Sequence, residues 1–138
     1  MHSSSCFILI LNYNIHMANR HLSRSIVLQT LFEWDFTRKK IDGLKEAMEL
    51  HIAEFAPNGL VEEPFMEGLL ERVIAKQPNI DEIITKAAPD WPLEKISSVD
   101  RNILRLGLCE LLFTDRKEVP AKVAINEAVE LAKQYSGE

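Results

Sequence analysis

Fifteen residues, Val99 to Phe113 (VDRNILRLGLCELLF), constrain the fold more than any other stretch. At helical spacing, Val99, Ile103, Leu104, Leu106, Leu108, Cys109, Leu111 and Leu112 put apolar side chains on nearly every side. A helix without a polar face belongs at the centre of a bundle. Gly107 in its middle costs about 1 kcal/mol against alanine, a cost that close approach of a neighbouring helix justifies. Ser97 followed three residues later by Asp100 is a capping-box pattern at its start.

The segment after it, Pro120 to Tyr135 (PAKVAINEAVELAKQY), is two-faced. Ala124, Ile125, Ala128, Val129, Leu131, Ala132 and Tyr135 fall together, while Asn126, Glu127, Glu130, Lys133 and Gln134 fill the other side. This pattern predicts an amphipathic helix with a core beneath it.

Everything between Met17 and the central helix also reads as helix. Ile26, Val27, Leu31, Phe32 and Trp34 predict a first helix over about Leu22 to Phe36. Arg38 to Gly43 is a polar connection, with Asp42 a plausible N-cap for a second helix carrying Leu44, Met48, Ile52 and Phe55. Pro57-Asn58-Gly59 stops that helix, since proline disfavours helix before itself and Asn-Gly favours a turn. Pro64 suits the first turn of a third helix with Phe65, Leu69, Leu70, Val73 and Ile74, which Pro78 is expected to close. Ile80, Ile83, Ile84 and Ala87 then predict a short fourth helix, and Pro89 and Pro92 bracket Trp91 in a stiff connection. Outside residues 1–16 no run alternates as a strand would, and there is no internal repeat. The expected fold is a compact all-α bundle.

The length of 138 residues fits one domain. A net charge of −5 argues against a general nucleic-acid binder, but the charge is uneven. Between Arg20 and Lys40, five basic residues (Arg20, Arg24, Arg38, Lys39, Lys40) face only Glu33 and Asp35, giving a basic end on an acidic body. Such asymmetry marks either a local polyanion site or a solvated charge cluster. Cys6 and Cys109 form neither a disulfide framework nor a metal site, and a reducing cytoplasm fits. Residues 1–16 differ from the rest. Their apolar run, Cys6 to Leu11, is far short of the roughly twenty residues a membrane span needs, and they lack the features of a secretory signal. They read as an extension, with Met17 as the expected initiator.

No catalytic signature is present. Gly43, Gly59, Gly68, Gly107 and Gly137 form no phosphate-cradling loop. His2, His16, His21 and His51 have no metal-ligand spacing with one another or with cysteine, so neither metal nor cofactor is expected. Glu62-Glu63 and Asp81-Glu82 read as helix-start charges. The basic cluster offers more. Arg20, His21 and Arg24 are expected at the start of the first helix, where exposed N–H groups and the dipole favour anions. Arg20 and Arg24 are four apart and share a face. Phe32 either stacks on an unpaired base or belongs to the core, where Trp34 is placed.

In order and spacing, VDRNILRLGLCELLF, Pro120 and KVAINEAVELAKQY resemble the transcription antitermination factor NusB family, as do SRSIVLQTLFEW and PFMEGLLERVIAKQPNIDEIITKAAPDW. The resemblance spans about Arg20 to Gly137. It implies an all-helical fold of six to seven helices in two sub-bundles. It also implies a non-enzymatic RNA-binding role: with NusE, a small-subunit ribosomal protein, NusB-like proteins bind boxA RNA in nascent ribosomal RNA and help RNA polymerase read through terminators. By position, Arg20, His21 and Arg24 match the family's arginine-rich start, with His21 where arginine is more usual. Phe32 matches an aromatic near the RNA. Arg101 and Arg105 match basic positions, although Arg105, amid leucines, equally suits an internal ion pair. Glu94 and Asp100 match acidic positions implied to face NusE, with helix capping as their other role.

Family members continue with a polar linker and a further helix of FVNGVL type, which this sequence lacks. Residues 17–138 are therefore expected to form a C-terminally shortened NusB-like domain, and a homodimer is one way to cover the apolar face left open. Two other readings remain: the helical N-terminal domain of a ribosomal RNA cytosine methyltransferase, and a structural dimerisation module.

Overall fold

The computed structural model describes residues 2–37 and 39–136, with side chains from residue 5 onward. Arg38, Gly137, Glu138 and the side chain of His2 lie outside the described set. Five α-helices and one 3₁₀ turn follow in order: α1 (His2–Phe36), α2 (Leu44–Phe55), α3 (Glu63–Ala87), the 3₁₀ turn (Leu93–Lys95), α4 (Ser98–Phe113) and α5 (Ala121–Tyr135). Among the described residues there is no strand, and no helix is long and apolar enough to cross a membrane. The fold is all-α as expected, with five helices in place of six or seven.

Two helices are longer than the sequence suggests. α1 runs back through the expected extension without a break, yet every described side chain from Ser5 to His16 is exposed and continuous burial begins at Ser23. Residues 5–16 are thus distinguished from the rest of α1 by burial and not by secondary structure. α3 continues through Pro78, which was expected to end it, so the third and fourth predicted helices are one. An interior proline removes a backbone bond and costs about 3 kcal/mol. Beyond it, Ile80 and Ile84 are buried and Asp81 holds Arg105, so tertiary contacts on the far side keep the helix going.

The helix boundaries follow local chemistry in most places. α2 ends at Phe55, and Gly59 takes a left-handed φ of 73° in the turn that follows. Asp42 does not cap α2; Gly43 does, with a φ of 79° that favours glycine, and no side chain bonds the first turn. Ser97 caps α4 as predicted, its Oγ accepting from the Asp100 N–H at 3.2 Å.

α4 packs against α1, α3 and α5, which makes it the central helix. Its own burial pattern is not what an all-apolar helix implies, because Asn102, Arg105 and Glu110 are buried while Leu104 and Leu112 are exposed. Close approach explains Gly107: a Cβ there would lie 3.0 Å from the Ala128 Cβ of α5. Cys109 is fully buried, and burial pushes its thiol up to about 12. On α5, Ala124 and Leu131 are buried as predicted, but so is Glu127, while Ile125, Val129 and Tyr135 are exposed. Buried hydrophobic residues from all five helices, among them Leu31, Trp34, Met66, Leu106 and Leu131, form one cluster. Each large side chain so buried stabilises the fold by about 1.5–3 kcal/mol.

The α4–α5 contact gives a direct test. Gly107→Val places its bulk against Ala128 and should lower stability by about 1–3 kcal/mol in chemical denaturation, as overpacking does. An unchanged midpoint would contradict the close approach.

Candidate nucleic-acid interface

The basic residues of α1 sit mid-helix, about twenty residues from its first turn, so the helix-end N–H groups of α1 itself are remote from them. That corrects the expected anion site at a helix start. Arg24 is 1% exposed and faces inward. Its guanidinium forks onto Glu110 of α4, Nε donating to Oε1 at 2.7 Å and Nη2 to Oε2 at 2.9 Å. Charge-assisted fork contacts of this kind are the strongest hydrogen bonds available to such groups. Glu127 of α5 lies 3.9 Å from its Nη1.

One turn back, Arg20 lies over the Phe65 ring at 4.3 Å, and Arg24 over the same ring at 5.0 Å, so the two do share a face. Arg20 Nε donates to Glu62 Oε2 at 3.0 Å and Nη1 to the Glu118 carbonyl at 3.1 Å. His21 bridges to α5. Its Nδ1 lies 2.8 Å from Glu127 Oε2 and its Nε2 3.0 Å from Gln134 Oε1. Only the protonated ring can donate to both acceptors. Partial burial works against the charged ring and Arg24 opposes it, but the hydrogen bonds to Glu127 and Gln134 and the Glu127 charge prevail, and the pKa rises above 6.5.

A second polar cluster joins α1, α3 and α4. Arg105, 1% exposed, donates to Asp81 at 2.8 and 2.9 Å and to Asp35 at 3.1 Å. Of its two readings, the internal ion pair is the one seen. Arg101 donates to Asp35 at 2.8 Å and to the carbonyls of Leu93 and Ile96 at 3.0 Å each, tying the 3₁₀ turn to α4. Burial would raise Asp35, but the Arg101 hydrogen bond, the Arg105 charge and Asn102 hold it below the usual carboxylate range. Glu94 is exposed on the 3₁₀ turn at the rim of this cluster. Asp100 is half-buried; its N–H is capped by Ser97 and its carboxylate accepts from the Ser136 hydroxyl.

Phe32 is 36% exposed, stacked on Phe36 at 6.3 Å, at the edge of an apolar cavity of about 540 Å³. Leu22, Ile26, Phe55, Val99 and Tyr135 line its remaining walls. Trp34 is buried, as expected. Among the described residues no group of three His, Cys, Asp or Glu could hold a metal ion.

Sequence reasoning named the cations of these clusters and missed their anions: Glu110, Glu127, Asp35 and Asp81. Glu110 carried a signal, an acid set among leucines in the central helix. A buried carboxylate there requires a buried partner.

A sequence profile of the NusB family matches residues 21–138. The transcription antitermination protein NusB of Desulfitobacterium hafniense (strain DSM 10664 / DCB-2) is 42% identical over 121 residues, covering 87% of this chain and 78% of its own length. That of Roseiflexus castenholzii is 40% identical over 119 residues, 86% of this chain and 81% of its own. That of Carboxydothermus hydrogenoformans is 39% identical over 123 residues, with coverage of 87% and 83%.

Two predictions follow from the geometry. Arg24→Ala strands Glu110 in the interior and should destabilise by about 3–5 kcal/mol, whereas Arg24→Met with Glu110→Met should recover most of that loss; equal stability of single and double variants would contradict a buried pair. His21, with its raised folded pKa, stabilises fully below its unfolded value of about 6.5, and this contribution disappears as pH rises through the folded pKa. The melting temperature of the wild type should therefore fall relative to His21→Gln between about pH 6 and about pH 8. A constant difference would show that the bridge to Glu127 and Gln134 does not depend on protonation.

Proposed function

The chain belongs to the NusB family, and from that premise we propose that it is a non-enzymatic transcription antitermination factor that, together with NusE, binds boxA-type RNA of nascent ribosomal RNA within the antitermination complex of RNA polymerase. The observation that carries this reading is the family match, which runs from the middle of α1 through the whole of α5.

Exposure and pairing support a division of the expected RNA residues by role. Arg20, His21 and Phe32 keep accessible surface and are the proposed contacts, with Phe32 offering a ring face to an unpaired base. Arg24, Arg101 and Arg105 serve that surface by positioning α1 and α4 through their carboxylate partners. For NusE, the exposed Glu94 is the proposed acidic contact, and Asp100 supports it from the first turn of α4. The methyltransferase alternative has no observation in its favour, since the relatives quoted above are named for antitermination.

Fluorescence anisotropy of a boxA-type RNA oligonucleotide, titrated with the full chain in the presence and absence of NusE, tests the reading. NusE should tighten binding, and Phe32→Ala should weaken it by about tenfold, a stacked base being worth roughly 1–3 kcal/mol. Absence of RNA binding with NusE present would overturn the proposal.

A further inference from the structure

The arginines that the sequence singles out are already matched by carboxylates: Arg20 with Glu62, Arg24 with Glu110, Arg101 with Asp35, and Arg105 with Asp35 and Asp81. Lys45, Lys86 and Lys133 pair with Glu67, Glu82 and Glu130. Cations without such a partner lie elsewhere. Among the described residues, five of them sit on α3 and around the α4–α5 connection: Arg72, Lys76, Arg116, Lys117 and Lys122. The others, Lys39, Lys40 and Lys95, belong to the α1–α2 connection and the 3₁₀ turn.

Contacts bring the α3 residues to that connection. Arg72 Nη1 donates to Thr114 Oγ1 at 3.1 Å, and Lys76 Nζ lies 5.3 Å from the centre of the Phe113 ring. Phe113 ends α4 and Thr114 opens the connection, so the exposed Arg116 and Lys117 follow directly, with Lys122 in the first turn of α5. The acids adjacent in sequence are Glu71, Asp115 and Glu118, and among the described residues no acid is within ion-pair distance of these five cations. Asp115 turns its carboxylate onto its own loop, accepting from the Lys117 N–H at 2.9 Å. On a chain of net charge −5, this is a local surplus of unpaired positive charge. It also adjoins the α1 site, because Arg20 donates to the Glu118 carbonyl of the same connection.

We propose that Arg72, Lys76, Arg116, Lys117 and Lys122 form a second RNA contact, which takes backbone phosphates of the strand as it passes from the Arg20–His21 site across the α4–α5 connection. The proposal rests on the RNA-binding reading given above. Spaced, solvated cations from three elements suit a phosphate chain, which is held by neutralising charge without base readout. A protein partner would call for an apolar centre within the patch. Phe113 is half-buried with Lys76 over its ring, the exposed Leu112 and Ile125 stand next to the cations in sequence, and a protein partner is therefore one outcome of the test.

Two oligonucleotides distinguish the surfaces, a minimal boxA-type RNA and the same RNA extended at both ends by uridines, each titrated with the full chain and NusE over a range of salt. Arg116→Gln with Lys117→Gln changes only exposed loop side chains. It should weaken the extended RNA by about tenfold and reduce the slope of log affinity against log salt by about 1.4, two contacts at ~0.7 each for a single strand. The minimal RNA should be much less affected, and Lys86→Gln with Lys133→Gln should leave both unchanged. An unaltered slope for the extended RNA, with wild-type binding intact, would overturn the second contact alone. Failure of the wild type to bind either RNA would overturn the underlying reading as well. Loss of NusE association by the variant in the absence of RNA would assign the patch to a protein and likewise overturn it.

Discussion

The fork between Arg24 and Glu110 fixes how this molecule can be assembled. Both groups are removed from water between α1 and α4. An ion pair so placed gains little over well-packed apolar residues, because desolvation offsets most of the attraction. Its force lies in what it forbids. If α1 slides or turns on α4, an arginine and a glutamate are left buried and unpaired, at several kcal/mol each. Arg105 imposes the same condition on α3 through Asp81 and on the far end of α1 through Asp35. Two polar fasteners thus set the relative register of three helices whose apolar surfaces alone would tolerate other packings. They also help α3 persist through Pro78, since Asp81 lies just beyond it.

This arrangement separates basic composition from available charge. Counted along the sequence, the N-terminal end is the basic part of the chain. Counted by unpaired groups, α3 and the α4–α5 connection are, because the conspicuous arginines of α1 and α4 are neutralised by acids that lie far from them in sequence. Arg24 and Glu110 are separated by 86 residues, and Arg105 and Asp35 by 70. The RNA surface proposed for this protein is therefore sought in what the fold leaves unmatched.

What was legible in the sequence was local. Ser97 as a cap, Pro57-Asn58-Gly59 as a stop, Gly107 as a close approach and Cys109 as core each depend on a few neighbours or on one helix's burial. The central place of α4 was legible too, since so many leucines cannot all face water. Pro78 and Glu127, and the expected placing of Arg24 at a helix start, depart from the structure for one shared reason: each expectation rests on residue type and helical position, and each outcome is decided by contacts with other helices. Glu127 falls on the nominal polar side of α5 and is buried because His21 and Arg24 meet it there. Asp42 failed differently, a glycine with left-handed backbone having taken the capping position.

Glu127 also links the surface to the interior. One carboxylate oxygen, Oε2, lies 2.8 Å from His21 at the rim and 3.9 Å from Arg24 in the core. A protonated His21 draws on the carboxylate from outside, and Arg24 draws on it from within. When His21 is neutral, it no longer competes by charge, and Arg24 alone of the two cations draws on that carboxylate. Protonation at the rim therefore changes the charge balance around the carboxylate that Arg24 also faces. Arginine at position 21 would hold its charge at every physiological pH, whereas histidine makes this balance responsive, with Gln134 of α5 as its second acceptor. The junction of α1 and α5 is consequently where His21, one of the proposed RNA contacts, and the pair that fixes the fold meet on one carboxylate.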